Sequence, residues 1–171
     1  MLKKMIVGIF AVLVFAVQAD SGSLYDARVT AVHDGDTVRV TNQYGQKQRI
    51  RLAYIDAPEL QQTYGKASRD ALSALILHQK VQVEVIDTDR YRRQVARLTL
   101  NGQDINLSQL QNGNAWHYRS IARQKQSDSD YRLYEQAHNQ ARQQKRGLWQ
   151  QFNPDAPWSY RYHTRQAEQG Y

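Results

Sequence analysis

The feature that most limits the possible folds is a series of short β-rich segments separated by turn residues. Three such segments alternate Val, Ile or Thr with polar residues and lie at residues 28–32, 37–41 and 49–55. Turn-forming residues break the series at Asp34-Gly35 and again at residues 42–45. Strands this close in sequence pair most simply with their neighbours, so the pattern predicts a three-stranded meander.

The rest of the chain alternates helical and strand-like patterns. Apolar residues recur at spacings of three and four over residues 66–78, which predicts a helix. Two more strands are expected at residues 81–86 and 95–100, and two more helices at residues 107–111 and 127–146. This order predicts an α+β fold, a five-stranded antiparallel barrel with about three packed helices.

The first nineteen residues have the pattern of a secretory signal. Two lysines, Lys3 and Lys4, precede an apolar run over residues 5–17, and the small residues Val17 and Ala19 stand before a cleavage point. The run is shorter than the roughly 20 residues that span a bilayer. We therefore expect cleavage, export to the periplasm or the medium, and no stable membrane association; an uncleaved anchor is the alternative.

Composition places limits on the exported chain. It has no cysteine, so its stability has to come from a packed core. The sequence has 23 basic and 16 acidic residues, and without Lys3 and Lys4 the net charge is +5. That charge suits a polyanionic partner, although a merely soluble surface explains it as well. We expect a monomer with one domain at residues 25–150 and a loosely docked or disordered tail at residues 151–171, which lacks a regular period.

Two acids stand at the ends of predicted strands. Asp36 lies at the mouth of the second strand and Asp56 at the exit of the third. Because a hairpin pairs those strands, we expect the two carboxylates to lie close together. Carboxylates with a carbonyl and waters form a hard oxygen site that suits Ca²⁺, and Mg²⁺ accepts similar ligands.

Charged residues surround this pair of acids. Arg51 lies five residues before Asp56, so strict alternation would place the two side chains on opposite faces, and a bulge or curvature is needed to bring them together. Pro58 ends the strand and leaves Glu59 on a loop. A basic segment at residues 90–93 follows the fourth strand, where a solvated hairpin tip is an equal alternative.

Taken together, the motifs resemble the thermonuclease (staphylococcal nuclease-like) family. The resemblance covers about residues 27–150, and its motifs lie at residues 34–38, 51–59, 64–65, 89–93, 110–113 and 147–149. It implies an OB-fold nuclease that uses Ca²⁺ to hydrolyse phosphodiesters in DNA and RNA, leaving 3′-phosphate ends.

The resemblance also implies roles for individual residues. Asp36 and Asp56 match the metal carboxylates, and Ala57 matches the residue whose backbone carbonyl completes the site. The phosphate-binding arginines correspond to Arg51 and Arg93, and the acid that positions or deprotonates water corresponds to Glu59. Metal and guanidinium groups are needed because attack on a phosphodiester develops negative charge.

Some departures from the family pattern leave alternatives open. Glycine is usual at the position of Arg92, so Arg92 competes with Arg93 for the second phosphate-binding role. Trp116 and Tyr118 are candidates for substrate stacking, although packing is an equal explanation. His33 and His117 are expected to be structural. The alternative function is a catalytically inactive OB-fold module that binds nucleic acid or a protein partner.

Overall fold

The structure is a computed structural model that describes residues 22–170. The predicted signal segment at residues 1–19 lies outside the described residues, so its cleavage stays a prediction. Within residues 22–170, no helix combines the length and the apolar character needed to cross a membrane.

Five strands close into a barrel, which confirms the predicted α+β OB-fold class. They are β1 (Leu24–Val32), β2 (Thr37–Asn42), β3 (Lys47–Leu52), β5 (Lys80–Thr88) and β6 (Gln94–Leu100). The sheet order is β3-β2-β1-β5-β6, and β3 pairs with β6 to close it. The closing pair is parallel, so the barrel is mixed and the expectation of a wholly antiparallel barrel was wrong.

Alternating side chains fill the barrel interior. Val29, Val40, Ile50, Val83 and Leu98 are fully buried, each from a different strand. This is the inward half of the period-two pattern that the sequence showed. The barrel therefore gives the chain the packed core that a protein without cysteine needs.

Three short strands lie outside the barrel ring. They are β4 (Ile55–Asp56), β7 (Gln103–Asp104) and β8 (Trp116–His117). Strand β7 extends the sheet by pairing with β6, whereas β4 and β8 form a separate antiparallel pair. The β4–β8 pair connects the chain after the third barrel strand to the helical part of the molecule.

Residues 22–170 contain five α-helices rather than the predicted number of about three. They are α1 (Gly65–Ile76), α2 (Ile105–Gln111), α3 (Arg119–Lys125), α4 (Asp128–Gln143) and α5 (Pro157–Gln169), and a 3-10 turn covers Gly147–Gln150. The predicted helices correspond to α1, α2 and α4. Helix α3 escaped prediction because it is short and buries Ala122 alone.

Helix α5 corrects the expectation of an irregular C-terminal tail. Pro157 occupies its first turn, where the missing amide hydrogen of proline costs nothing. Only Pro157 of this helix is buried, so the apolar periodicity that reveals most helices is weak. The helix is nevertheless attached to the rest of the protein, because the side chain of Gln62 donates to the carbonyl of Asp155 over 2.6 Å.

The predicted third strand is interrupted before its end. It was expected to run over residues 49–55, but β3 ends at Leu52 and β4 begins at Ile55. Tyr54, between them, has a φ of 65°, in the left-handed region. Two hydrogen bonds hold this turn: the Ala53 amide donates to Ala96 O over 2.8 Å, and Tyr54 O accepts from the Tyr118 amide over 2.8 Å.

Candidate active site

A cleft of about 420 Å³ at the side of the barrel contains most of the charged residues that the sequence singled out. Its lining combines acids with arginines: Asp34, Asp36, Thr37, Arg49, Arg51, Asp56, Ala57, Glu59, Arg90, Tyr91, Arg93, Tyr118, Arg161 and Arg165. All six residues predicted to carry catalysis or metal binding are among them. The cleft is therefore the candidate active site.

Arg51 joins the two predicted metal ligands. Its Nη1 lies 3.0 Å from Asp36 Oδ2, and its Nη2 lies 2.8 Å from Asp56 Oδ1. The hairpin explains the first contact, because Arg51 on β3 stands opposite Thr37 at the start of β2. The two carboxylates thus lie close together on either side of one guanidinium.

The turn at Tyr54 explains the second contact. Without it, alternation along one continuous strand would point Arg51 and Asp56 to opposite faces. The left-handed residue redirects the chain, so that Asp56 on β4 returns to the side of Arg51. A local distortion was expected here, and the structure supplies it as a turn between two strands.

The loop that carries Asp36 is held by its close approach to helix α1. A side chain at Gly35 would meet Ser68 Oγ at 1.8 Å and the Cβ of Ala57 at 2.7 Å, so only glycine fits. The carbonyl of Gly35 accepts a hydrogen bond from the buried side chain of Gln109 over 2.8 Å. This support lies on α1 and α2, and no local sequence pattern pointed to Ser68 or Gln109.

Burial makes the Asp36 carboxyl costly to ionise. Asp36 is 5% exposed and Asp56 1% exposed. Desolvation raises the pKa of Asp36 well above its usual range, although the Arg51 guanidinium opposes the shift. Burial alone would lower the pKa of Arg51, but the carboxylates of Asp36 and Asp56 outweigh it and raise the pKa.

The donor set of the cleft fits a hard cation. Arg51 contacts both buried carboxylates and Arg161 contacts one of them, and carboxylate oxygens are ligands for Ca²⁺ or Mg²⁺. Ala57 contacts one of these carboxylates, since its amide donates to Asp36 Oδ2 over 2.6 Å. Among residues 22–170 there is no group of three or more His, Cys, Asp or Glu side chains arranged to hold a metal. A cation would therefore need carbonyl, water or phosphate oxygens as well.

The second predicted arginine reaches the same cleft. Arg93 Nη1 lies 3.4 Å from Thr37 Oγ1, and that hydroxyl donates to Asp36 Oδ1 over 3.1 Å. Asp89 orients Arg93 by accepting from its Nε over 2.8 Å and from its backbone amide over 3.0 Å. The guanidinium is thus held beside the acids by residues of its own loop and of β2.

Arg92 is placed differently from Arg93. Its side chain is exposed and does not line the cleft. Its φ is 60°, a backbone conformation that glycine adopts most easily. The geometry therefore favours Arg93 over Arg92 as the arginine that reaches phosphate.

Glu59 lies on the loop after β4, at the open side of the cleft. Its carboxylate is 38% exposed and one oxygen, Oε1, lies 2.9 Å from Arg161 Nη1. The loop is fixed because the Glu59 amide donates to Gln62 Oε1 over 3.1 Å. An acid beside the predicted metal ligands and partly open to solvent has the position that a water-orienting group requires.

The two aromatic candidates have different surroundings. Trp116 packs into an aromatic cluster, with its ring 4.4 Å from Trp149 and 5.6 Å from Trp158 between centroids. Tyr118 lines the cleft and stacks on Trp158 at 5.7 Å with an interplanar angle of 5°. Packing therefore explains Trp116, whereas Tyr118 is positioned to contact a ligand. His117 is buried outside the cleft lining, where its Nδ1 lies 3.0 Å from Glu135.

Helix α5 adds cleft residues that sequence reasoning missed. Arg161 and Arg165 project from it into the cleft, and Trp158 covers Tyr118. These three residues are spaced by three and four positions, so a helix would place them on one face. That spacing, with Pro157 at a helix start, was the signal that could have revealed them.

Comparisons with known proteins agree with this geometry. The sequence profile of the family described as staphylococcal nuclease homologue matches residues 49–151. A micrococcal nuclease of Shigella flexneri is 34% identical over 166 residues, covering 92% of each chain. An uncharacterized endonuclease of Escherichia coli O157:H7 is 38% identical, over 79% of this chain and 84% of its own.

Longer plant proteins share the same region. A probable staphylococcal-like nuclease of Oryza sativa subsp. japonica is 39% identical over 72% of this chain, which spans about a third, 32%, of that relative. The profile match covers more than half of the present sequence, and the bacterial relatives match it over most of their length. The chain belongs to the family of staphylococcal nuclease homologues.

Proposed function

We propose that the protein is an exported, Ca²⁺-dependent nuclease that hydrolyses DNA and RNA with little sequence preference and leaves 3′-phosphate ends. The observation that carries the proposal is the meeting of Asp36, Asp56, Arg51, Arg93 and Glu59 in one cleft. The bacterial relatives named as a micrococcal nuclease and an endonuclease support it.

The arginines are suited to hold a phosphodiester during attack. Both are fixed by carboxylates, Arg51 by Asp36 and Asp56 and Arg93 by Asp89. A planar guanidinium donates two parallel hydrogen bonds to phosphate oxygens, and its charge offsets the negative charge that grows in the transition state. Their prior orientation means that little reorganisation is needed at the moment of reaction.

Glu59 is suited to act on the attacking water. In the proposed reaction its carboxylate accepts a proton as the water oxygen bonds to phosphorus. The bond from phosphorus to the 5′ oxygen breaks with its electron pair going to that oxygen, which takes up a proton from solvent, and the phosphate stays on the 3′ side. A general base of this kind contributes about 10²- to 10⁴-fold to a rate.

The residues that would hold the cation are Asp36 and Asp56, with the backbone carbonyl of Ala57. Their hard oxygen atoms suit Ca²⁺, and Mg²⁺ accepts a similar set. When bound, the cation supplies positive charge to the phosphate oxygens.

The surroundings of the cleft support a nucleic acid as substrate. Arg49, Arg90 and Arg165 also line it and offer further contacts to phosphates along a strand. Contacts to phosphate carry no sequence information, which agrees with low sequence preference. Tyr118 at the rim offers a face for base stacking, and Trp116 supports it indirectly through Trp158.

The proposal also includes export of the protein and a monomeric state. The signal pattern at residues 1–19 supports a periplasmic or secreted enzyme without stable membrane association. The absence of cysteine suits an oxidising compartment, since no thiol can pair wrongly.

Incubation of the purified protein with single-stranded DNA and with RNA tests the proposal. Parallel reactions contain Ca²⁺, Mg²⁺ or a chelator, and phosphatase treatment of the products identifies 3′-phosphate ends. We expect cleavage of both polymers with Ca²⁺ and none with the chelator. Binding of the polymers without cleavage under every metal condition would instead support an inactive OB-fold module.

A further inference from the structure

Helix α5 places a positive charge on the same carboxylates that are proposed to bind the cation. We propose that Arg161 is an intramolecular competitor of the metal, so that a cation binds Asp56 only by displacing Arg161. This inference rests on the proposed function and adds a means of regulating the same site. It assigns a role to the C-terminal segment, which the family profile, ending at residue 151, does not include.

The contact of Arg161 with the acids has the geometry of a specific ion pair. Its Nη2 lies 2.7 Å from Asp56 Oδ2, and its Nη1 lies 3.2 Å from Asp56 Oδ1. The same Nη1 lies 2.9 Å from Glu59 Oε1. Bidentate contacts of this kind are the strongest arginine–carboxylate pairs. Arg161 also bridges a proposed metal ligand to the proposed general base.

The pair lies in a setting where charge is weakly screened. Asp56 is 1% exposed, and Arg161 is 35% exposed. Because Arg51 already holds Asp56 Oδ1 at 2.8 Å, Arg161 leaves neither oxygen of this carboxylate without a guanidinium contact. Arg51 and Arg161 thereby offset the charge of the Asp56 carboxylate.

A metal ion and Arg161 cannot share these oxygens favourably. Calcium lies about 2.3–2.6 Å from its carboxylate ligands. An ion on Asp56 Oδ2 would therefore stand within a few ångströms of Arg161 Nη2, which lies 2.7 Å from the same oxygen. Repulsion between like charges at that separation is strong in a partly buried site. Binding of the cation consequently requires Arg161 to move away.

The attachment of helix α5 allows such movement. Three contacts hold its beginning: the hydrogen bond from Gln62 to Asp155, the stacking of Trp158 on Tyr118 and the edge contact of Trp158 with Trp116. Beyond Arg161, the helix to Gln169 is exposed. With so little buried surface, the ion pairs of Arg161 supply a large part of what keeps this helix against the cleft.

Calorimetric titration of Ca²⁺ into the purified protein at 0.15 M salt tests the inference without measuring catalysis. We compare the wild type with Arg161→Met, which keeps the length and apolar stem of the side chain but removes its charge. Removal of the competitor should tighten Ca²⁺ binding by about tenfold. Arg161→Lys, which keeps the charge without the planar fork, should lie between them.

Arg165→Met is the matched control. Arg165 lies on the same helix and lines the same cleft, but among the described residues it makes no ion pair with a carboxylate. Its removal should change Ca²⁺ affinity less than twofold, because Arg165 acts on the ion only through long-range charge repulsion, which salt screens. Equal tightening by Arg161→Met and Arg165→Met would overturn the competition, since it would show only a general effect of net charge.

Further outcomes separate this inference from the proposed function. If the wild type binds Ca²⁺ and cleaves nucleic acid but Arg161→Met has unchanged or weaker Ca²⁺ affinity, the competition is refuted and the nuclease proposal stands. If neither protein binds Ca²⁺, both proposals fail. Binding by Arg161→Met alone would support the competition most strongly, because it would show that Arg161 excludes the ion.

Discussion

Two clusters of charge in this molecule are built on opposite principles. The cleft cluster consists of Asp36, Arg51, Asp56, Glu59 and Arg161 and opens to solvent beside the barrel. The helix cluster consists of His117, Arg119, Glu135 and Asn139 and joins α4 to the segment that runs from β8 into α3.

In the helix cluster the acid is fully satisfied. Glu135 accepts from Arg119 Nε over 2.8 Å and from its Nη2 over 2.7 Å. The ring Nδ1 of His117 and the side-chain amide of Asn139 also contact this carboxylate. The hydrogen bonds from Arg119 contribute most to lowering the pKa of Glu135 to about 2. Ionisation of this carboxylate therefore stabilises the fold.

At Asp36 in the cleft cluster, burial has a larger effect on the pKa than the neighbouring positive charge. Desolvation raises the pKa of Asp36 although Arg51 lies beside it. Ionisation of this carboxylate opposes folding until a cation compensates its charge. The comparison teaches that a charged contact can add to stability, as at Glu135, or be kept at a cost to stability, as at Asp36. It predicts that substitutions in the cleft affect activity and that substitutions in the helix cluster affect stability.

The largest effect is expected for Arg51→Ala. This change removes a proposed phosphate ligand and the guanidinium that joins Asp36 to Asp56, so turnover should fall by at least about 10³-fold. Steady-state cleavage of single-stranded DNA measures it. The control is Arg49→Ala, which changes a nearby arginine of the same strand and should lower turnover less than tenfold. Similar losses in both variants would contradict a specific role for Arg51.

The next effect separates the two arginines of the β5–β6 loop. Arg93→Ala should reduce turnover by at least about 10²-fold, because Arg93 reaches Thr37 beside the acids. Arg92→Ala should have little effect on turnover, since Arg92 is exposed outside the cleft lining. The same assay measures both variants. Activity that survives the loss of Arg93 but not of Arg92 would reverse the assignment.

Glu135→Gln should affect stability and leave activity unchanged. Loss of the charged hydrogen bonds to Arg119 should lower the free energy of unfolding by about 1–3 kcal/mol at pH 7. Because the pKa of Glu135 is lowered from 4.5 to about 2, its contribution is complete above pH 4.5 and disappears as the pH falls towards 2. Urea unfolding of wild type and variant across this range measures it. A difference that persists at pH 2 would argue against an ionic origin.

The smallest effect has the opposite sign. Asp36→Asn should raise the free energy of unfolding by about 1 kcal/mol at pH 7 in the presence of a chelator, because it removes the cost of burying a charge. Because the pKa of Asp36 is raised above its unfolded value of 3.8, its destabilising effect is absent below pH 3.8, grows as the pH rises above that value and is complete above the folded pKa. Urea unfolding with a chelator measures it. A variant that is less stable at pH 7 would contradict this prediction. It would show that the hydrogen bonds from Thr37 and Ala57 to the wild-type carboxylate outweigh the cost of burying its charge.

The sequence predicted the barrel well because its signals are local. Alternation of apolar residues identified all five barrel strands, and the Asp34-Gly35 turn placed Asp36 beside the start of β2. The position of Asp36 near Asp56 also followed from hairpin pairing. Helices α1 and α4 were predicted from the spacing of their apolar residues.

The missed features are those that depend on contacts between distant parts of the chain. The parallel pairing of β3 with β6 joins segments separated by more than forty residues, and no local pattern encodes it. Helix α5 lacks a buried face, so its periodicity is faint even though Arg161 reaches Asp56 across 105 residues of sequence. Short helix α3 is likewise fixed by its neighbours rather than by its own propensity.

By itself, then, the sequence determined the identity of the reactive groups, the barrel strands and the resemblance to a nuclease family. Only the tertiary structure decided how those groups face one another. The left-handed turn at Tyr54 brings Asp56 to Arg51, and the loop conformation at Arg92 directs Arg93 into the cleft. The tertiary structure also places the guanidinium of Arg161 against the carboxylate of Asp56. The physical reason is that alternation along a strand determines the face on which each side chain lies. Turns and packing determine which strand faces, and therefore which side chains, come together.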